Sequence, residues 1–252
     1  GCSAPPAPPP EEAEEPDSGG SSGGEGGGAE EEDVRRVRDA LVAAEEALDG
    51  GGDPVRVLIV APGSRGDVEP LIAVARALLR CGDDVTLACH DCFARDVRRV
   101  KGLRHAPLAG DPAKGRGGAP AVTGAAAEAQ WEQTFADLRS ASEGADLVAF
   151  NWFGVAGYHL AEALRVPAVA LWLSPFTSTA HFPAAFCADE SQGGGVGALR
   201  RDPLKSHAAA ELLFCRPFQP VLDRFRRSLG LLPMPPHGHF AEMRRRGGPV
   251  LF

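Results

Sequence analysis

The 252-residue sequence predicts an α/β fold, a parallel sheet flanked by helices and preceded by a disordered acidic tail. Three observations predict it. From residue 55 onward, short apolar β-branched runs alternate with longer runs of helical spacing, the pattern of βαβ units. Glycine- and proline-rich breaks separate the runs. Residues 1–33 contain no Lys, Arg, aromatic or β-branched residue, so they cannot bury enough apolar surface to offset their ordering entropy.

Taken in order, "VRRVRDALVAAEEAL" (34–48) is amphipathic and "DGGGDP" stops it, giving a helix and linker over 34–54. "VRVLIVA" (55–61) is the first buried strand. The spacing of Leu71, Val74, Ala75, Leu78 and Leu79 predicts a helix over 70–82, with Pro70 at its first position and Gly82 at its C-cap. "DVTLACH" (84–90) is the second strand, "CFARDVRRVKG" a helix and "LRHAPLAG" (103–110) the third strand. A Gly/Pro loop then leads to a helix over 125–142. "DLVAFN" (146–151) and "PAVALWLS" (167–174) are strands around the helix "GYHLAEALRV". A last helix spans 207–229, kinked at Pro217 and Pro220.

Composition narrows the function. Ten of the 34 acids lie in residues 1–33, leaving 24 acids against all 26 Lys and Arg, so the rest of the chain, residues 34–252, is nearly neutral. That balance gives no electrostatic case for nucleic acid. No apolar run reaches the roughly 18 residues of a membrane span. The six cysteines show no disulfide framework, which points to reduced thiols in the cytoplasm. "GCSAPP" lacks the Ser or Thr that a myristoylation signal wants where Pro5 sits.

Parallel sheets bind ligands beyond the carboxyl ends of their strands. The segments there are "PGSRGD", "HDC", "GDP", "NWFG" and "SPFTSTAHFP". In "GSRGDVEP" (63–70), Gly63 and Gly66 permit close backbone approach, yet neither a P-loop nor a dinucleotide fingerprint is matched. Asp67 is placed as a general base at the mouth of the sheet, or else, the reading spacing alone favours, Asp67 or Glu69 simply N-caps the helix. The RGD tripeptide is common by chance. "CHDC" (89–92) has thioredoxin-type spacing but no second ligand pair for zinc, and two small residues flanking a turn explain it as well. Trp152, Phe153, Trp172, Phe176, Phe182 and Phe186 gather beyond the strand ends, with Trp131 and Phe135 on the preceding helix. They form either an ordinary core or the wall of a pocket for a large flat apolar ligand. His159 is either a packed core histidine or a site residue.

Four blocks then occur in order: "GSRGDVEPLIAVARALLRCGDDVTLACH", "GDP" (110–112), "GYHLAEALRVPAVALWLSPFTSTAHFP" and "VLDRFRRSLGL". Together they resemble the amino-terminal domain of family 28 glycosyltransferases, most of all the sterol 3β-glucosyltransferases, over residues 55–252. The resemblance implies the Rossmann-like amino-terminal half of a GT-B fold, which holds the acceptor while a second domain holds the nucleotide sugar. It implies inverting, metal-independent transfer of a hexose from UDP-glucose or another nucleotide sugar to a sterol or lipid hydroxyl, with no cofactor. Asp67 would then be the base, assisted by His159. Gly63, Ser64, Arg65 and Gly66 would lie near the diphosphate, and Trp131, Phe135, Trp152, Phe153, Trp172, Phe176 and Phe182 would form the acceptor wall. Acceptors drawn from membranes imply transient peripheral contact with a bilayer. The donor-binding domain is absent from this sequence, which would leave the chain inactive alone. Gly82-Asp83 replaces the family's Gly-His pair, and "GRGGAPAVTG" (115–124) is looser than an acceptor loop in the family. A non-catalytic lipid-binding module and an unrelated nucleotide-binding domain are the competing readings.

Overall fold

The computed structural model describes residues 53–112, 125–174, 176–184, 201–236, 238–245 and 250–251. The tail over 1–33, the helix over 34–48, the loop 115–124 and Phe186 lie outside the described residues.

Six parallel strands make one sheet: β1 (Arg56–Val60), β2 (Asp84–His90), β3 (Arg104–Leu108), β4 (Leu147–Phe150), β5 (Ala168–Leu171) and β6 (Val250–Leu251), in the order β3-β2-β1-β4-β5-β6. The helices are α1 (Arg65–Arg80), α2 (Ala94–Arg98), α3 (Ala125–Ala141), α4 (Ala156–Leu164), α5 (Pro203–Cys215), α6 (Gln219–Ser228) and α7 (Gly238–Arg245). The sheet is buried on both faces, which is why its strands read as continuous apolar runs and not as alternating ones. On one face Val57, Ile59 and Ala61 pack with Val68, Leu71 and Ala75 of α1 and Val97 of α2. On the other, Leu58, Val60, Val148 and Phe150 pack with Trp131 and Phe135 of α3, Tyr158 and Leu160 of α4, and Phe225 of α6. The strand order reverses between β1 and β4, and the crevice outside their carboxyl ends is where such a sheet holds a ligand.

Several boundaries differ from the sequence expectation. Helix α1 starts at Arg65, not Pro70, because Ser64 and Asp67 form a capping box one and a half turns earlier. Pro70 sits inside the helix, where it has no amide hydrogen to donate to the Gly66 carbonyl four residues earlier. Gly82 follows the C-cap residue Cys81 and takes φ +94°, closing the helix with a bond from the Asp83 amide to the Leu78 carbonyl at 3.2 Å. The kinked helix over 207–229 is two helices: Asp202 caps α5 by accepting from the Lys205 amide, Pro203 occupies its first turn, and the turn Arg216–Phe218 separates it from α6. Neither α7 nor β6 was legible in the sequence.

Candidate functional site

The loops after β1 and β4 meet at the switch point. Asn151 directly follows β4, and its side chain does two things: Nδ2 donates to the Pro62 carbonyl at 3.0 Å, and Oδ1 accepts from the Gly154 amide at 2.9 Å. One buried amide thus ties the β1 loop to the turn Trp152–Gly154 that starts the next helix. Two glycines let these segments close. A Cβ on Gly154 would stand 2.9 Å from the Val60 carbonyl oxygen, and one on Gly157 would stand 3.0 Å from the Phe150 Cβ.

Within the β1 loop, the Asp67 carboxylate accepts from the Ser64 amide at 2.7 Å and from the Ser64 hydroxyl at 2.8 Å, both at Oδ2. Among the described residues no hydrogen bond reaches Oδ1. Asp67 therefore is a cap in this structure, half-buried, with one oxygen uncommitted at the carboxyl end of β1. Gly63 takes φ +128°, and its Cα faces the carboxylate so closely that a Cβ would lie 2.5 Å from Oδ2. Gly63→Ala is expected to destabilise the chain by about 1–3 kcal/mol and to displace the carboxylate; urea unfolding and a crystal structure of the variant check it.

Arg65 is exposed and donates to Glu69 at 2.6 Å and to Asp96 at 3.2 Å, so the RGD tripeptide lies in the first turn of a helix and not in a displayed loop. The amides of Arg65 and Gly66, in the first turn of α1, have no intrahelical partner and face an anion-favouring helix terminus.

The aromatic residues form one continuous array on the α3–α4 face. Trp131 meets Phe135 at 5.8 Å and Phe218 at 4.9 Å; Phe214 links Phe218 to Trp152 and Phe153. Trp152 touches Trp172 at 5.2 Å and Phe176 at 4.3 Å, and Phe240 of α7 stacks on it at 4.5 Å with 16° between planes. Trp131, Phe135, Trp152 and Trp172 are buried, while Phe153 and Phe176 are half-buried at the margin. Phe135 also lines an open groove between α3 and α6 with Val221, Phe225 and Arg224. Phe182 stands outside the array, 45% exposed and edge-on to His207.

The structure does not join His159 to Asp67. His159 is fully buried in α4, with Arg226 at its Nδ1 and His239 at its Nε2, and burial holds its pKa below the ordinary value. The assisting role expected from the resemblance has no hydrogen bond to carry it, because both ring nitrogens are committed elsewhere.

The "CHDC" pair is not poised for redox work. Burial pushes the Cys89 thiol up to about 12, and Cys92 is an exposed free thiol whose pKa is also raised. Among the described residues no group of three or more His, Cys, Asp or Glu is placed to hold a metal. The residue between them is more informative. His90 ends β2 on the aromatic face, is 2% exposed, and makes no well-aligned hydrogen bond on either nitrogen, with only the backbone of Leu108, Ala109 and Gly110 close to the ring; Trp131 Nε1 and Trp152 Nε1 are likewise buried without a well-aligned partner. The sequence signal for His90 was a polar residue closing an apolar strand at the ligand-binding edge. Arg226 and His239 carried no such signal.

Comparison with known proteins adds the family. The sterol 3-beta-glucosyltransferase of Penicillium rubens is 33% identical over 154 residues, 57% of this chain and 11% of the relative. That of Pichia angusta is 28% identical over 211 residues, 78% of this chain and 16% of the relative. UDP-sugar-dependent glycosyltransferase 52 of Dictyostelium discoideum is 29% identical over 196 residues, covering 71% and 11%. This chain thus spans between 11% and 16% of the length of these relatives. Among solved structures, the spinosyn forosaminyltransferase SpnP matches 72% of this chain and 43% of its own at 18% identity, with a TM-score of 0.46. No helix among the described residues is long and apolar enough to cross a membrane. Residues 57–183, half of the chain, match the model of the glycosyltransferase family 28 N-terminal domain, and the chain belongs to that family.

Proposed function

We propose that this chain is the acceptor-binding half of a UDP-sugar-dependent, inverting, metal-independent hexosyltransferase acting on a sterol or similar lipid hydroxyl. The observation that carries the reading is the meeting of two features at the β1–β4 switch point of a family 28 sheet: the Gly63–Asp67 loop and the aromatic array around Trp152. The relatives named as sterol glucosyltransferases support the substrate class.

In this reading a flat apolar acceptor lies along the margin of the array, against Phe153 and Phe176, and Phe182 offers exposed apolar surface nearby in the chain. Its hydroxyl proton passes to Asp67 Oδ1 while the hydroxyl oxygen attacks C1 of the sugar. The bond from C1 to the diphosphate oxygen breaks, and the nucleoside diphosphate leaves with the electron pair. The Ser64 amide and hydroxyl hold Oδ2 and so fix the direction in which Oδ1 points. The free amides of Arg65 and Gly66 would meet the diphosphate; the Arg65 guanidinium, paired with Glu69 and Asp96, would have to exchange those partners first. A peripheral membrane encounter would deliver the acceptor.

The test uses a polypeptide that carries a donor-binding half as well. Asp67→Asn can keep its one carbonyl oxygen as acceptor for the Ser64 amide and hydroxyl but puts an NH2 where Oδ1 stands and cannot take a proton, and transfer is expected to drop 10²–10⁴-fold with sterol affinity within about threefold. Unchanged turnover would return Asp67 to a cap. Sterol binding with no transfer by any variant, wild type included, favours the non-catalytic lipid-binding module, a reading that the capping role of Asp67 also supports.

A further inference from the structure

The buried polar groups behind the aromatic array have only one consistent arrangement of hydrogens. Arg226 has donors and no acceptor, so its Nη1–H donates to His159 Nδ1 at 2.7 Å, and its second Nη1 hydrogen goes to Glu162 Oε2 at 2.7 Å. His159 Nδ1 is therefore an acceptor, and in the neutral ring the proton sits on Nε2. That Nε2–H donates to His239 Nδ1 at 3.1 Å, which fixes the His239 proton on its own Nε2. From there it donates to Gln219 Oε1 at 3.1 Å. The Gln219 amide group, its oxygen now used as acceptor, donates to Asp223 Oδ1 at 2.8 Å and to the Met234 carbonyl. Arg226 Nε donates to the Leu232 carbonyl at 2.6 Å. Every link runs the same way, from a permanent cation to a carboxylate and a carbonyl, and successive dipoles reinforce one another.

The chain of bonds joins three helices. His159 lies in α4, Arg226 and Gln219 in α6, and His239 in α7. The residue after His239 is Phe240, the ring that stacks on Trp152 and approaches Trp172 at 6.2 Å and Phe214 at 6.2 Å. His159 follows Tyr158 and lies in the helix whose start is set by the Trp152–Gly154 turn. An eight-residue helix is too short to be stable by itself, so what seats α7 is its side-chain contacts. Of these, the bonds of His239 are directional and Phe240 supplies the apolar surface.

We propose that the Arg226–His159–His239–Gln219 relay seats Phe240 on Trp152 and thereby sets the surface on which an apolar acceptor lies, so that His159 and His239 are positioning residues for acceptor binding. The inference rests on the acceptor reading given above. It gives the histidine of the "GYHLAE" block a role that does not require contact with the sugar or the acceptor.

Two readouts on the 252-residue chain separate the two readings: intrinsic tryptophan emission without ligand, and binding of the fluorescent sterol dehydroergosterol followed by energy transfer from tryptophan. His239→Phe fills the volume but neither accepts from His159 nor donates to Gln219. It is expected to shift the emission several nanometres to the red, as Phe240→Ala does, and to weaken sterol binding about tenfold or more under conditions where circular dichroism shows the chain folded. His239→Asn keeps an acceptor where Nδ1 stands and His239→Gln keeps a donor where Nε2 stands. At least one of the two is expected to restore affinity to within about threefold, a rescue that simple loss of stability does not produce. Wild-type binding with His239→Phe folded and unchanged in both readouts overturns this inference alone. Equal impairment of the Phe, Asn and Gln variants overturns it too. A wild-type chain that fails to bind the sterol, with His239→Phe still shifting the emission, overturns the acceptor reading and leaves the relay a fold device without the positioning role.

Discussion

Replacing Arg226 by methionine is expected to lower the unfolding free energy by about 3–5 kcal/mol, roughly a fifth or more of the 5–15 kcal/mol typical of a folded domain. The side chain is 3% exposed, and methionine keeps most of its apolar stem, so lost packing is not the main cause. What goes is charge and direction. The Glu162 carboxylate, 13% exposed at its side chain, loses the cation at 2.7 Å, and His159 Nδ1 faces no donor from α6. The desolvation cost of the acid stays while the compensation from Arg226 is removed, which is why breaking one side of a buried pair exceeds the net worth of the pair. Two companions sharpen the reading. Arg226→Lys keeps the charge but has no planar fork to span Glu162, His159 and the Leu232 carbonyl, so most of the loss should remain. Glu162→Gln made on top of Arg226→Met should return about 1–3 kcal/mol, a coupling that a double-mutant cycle in urea reads directly. Additive effects would mean the two groups do not share their burden.

That network also shows where sequence reading stopped. The strands and the switch point were legible because burial on both faces makes each strand a run of Val, Ile, Leu and Ala, as in Val57–Ala61. The Gly63–Asp67 loop was legible because glycine and a short acid beside a strand end are unusual in themselves. His159, Arg226 and His239 are 67 and 80 residues apart in the pairs that bond, and no spacing rule spans such distances. Pro70 misled for a definable reason: proline favours a first helical turn, and the capping box that starts the helix at Arg65 is built from Ser64 and Asp67, residues equally suited to a phosphate loop. The aromatic density was plain in the sequence, but whether a ring points into a core or a cleft depends on α5, α6 and α7 closing over it, and α7 has too few residues to announce itself.

Acid should undo the domain through the same pair of imidazoles, and the sign follows from which state holds the proton. Burial is the largest cause holding both rings neutral: His239 is pushed down to about 3 and His159 is lowered as well, each shift reinforced by the nearby Arg226 charge. Glu162 and Asp223 pull the other way on His159, though burial outweighs them. The unfolded rings titrate near 6.5, so between that value and about 3 the unfolded chain binds more protons than the folded one. Stability is then full above pH 6.5 and falls as pH drops, at up to about 1.4 kcal/mol per pH unit for each ring. At pH 4.5 His239 alone should have removed up to roughly 3 kcal/mol, and His159 adds to the loss in the same direction. The carboxylate held lowest by a guanidinium, Asp146 beside Arg56, is lowered to about 2 from 3.8 and titrates below this window. Urea midpoints measured from pH 7.5 to 4.5 give the slope. His239→Gln should reduce it by about one proton's worth and His159→Gln should reduce it further, each variant starting from a lower plateau because a relay bond is lost. A slope that both variants leave untouched would place the acid sensitivity outside the relay. The stability then lost in acid would have to come from other groups, and the neutral-ring arrangement derived from the Arg226 donor would be wrong.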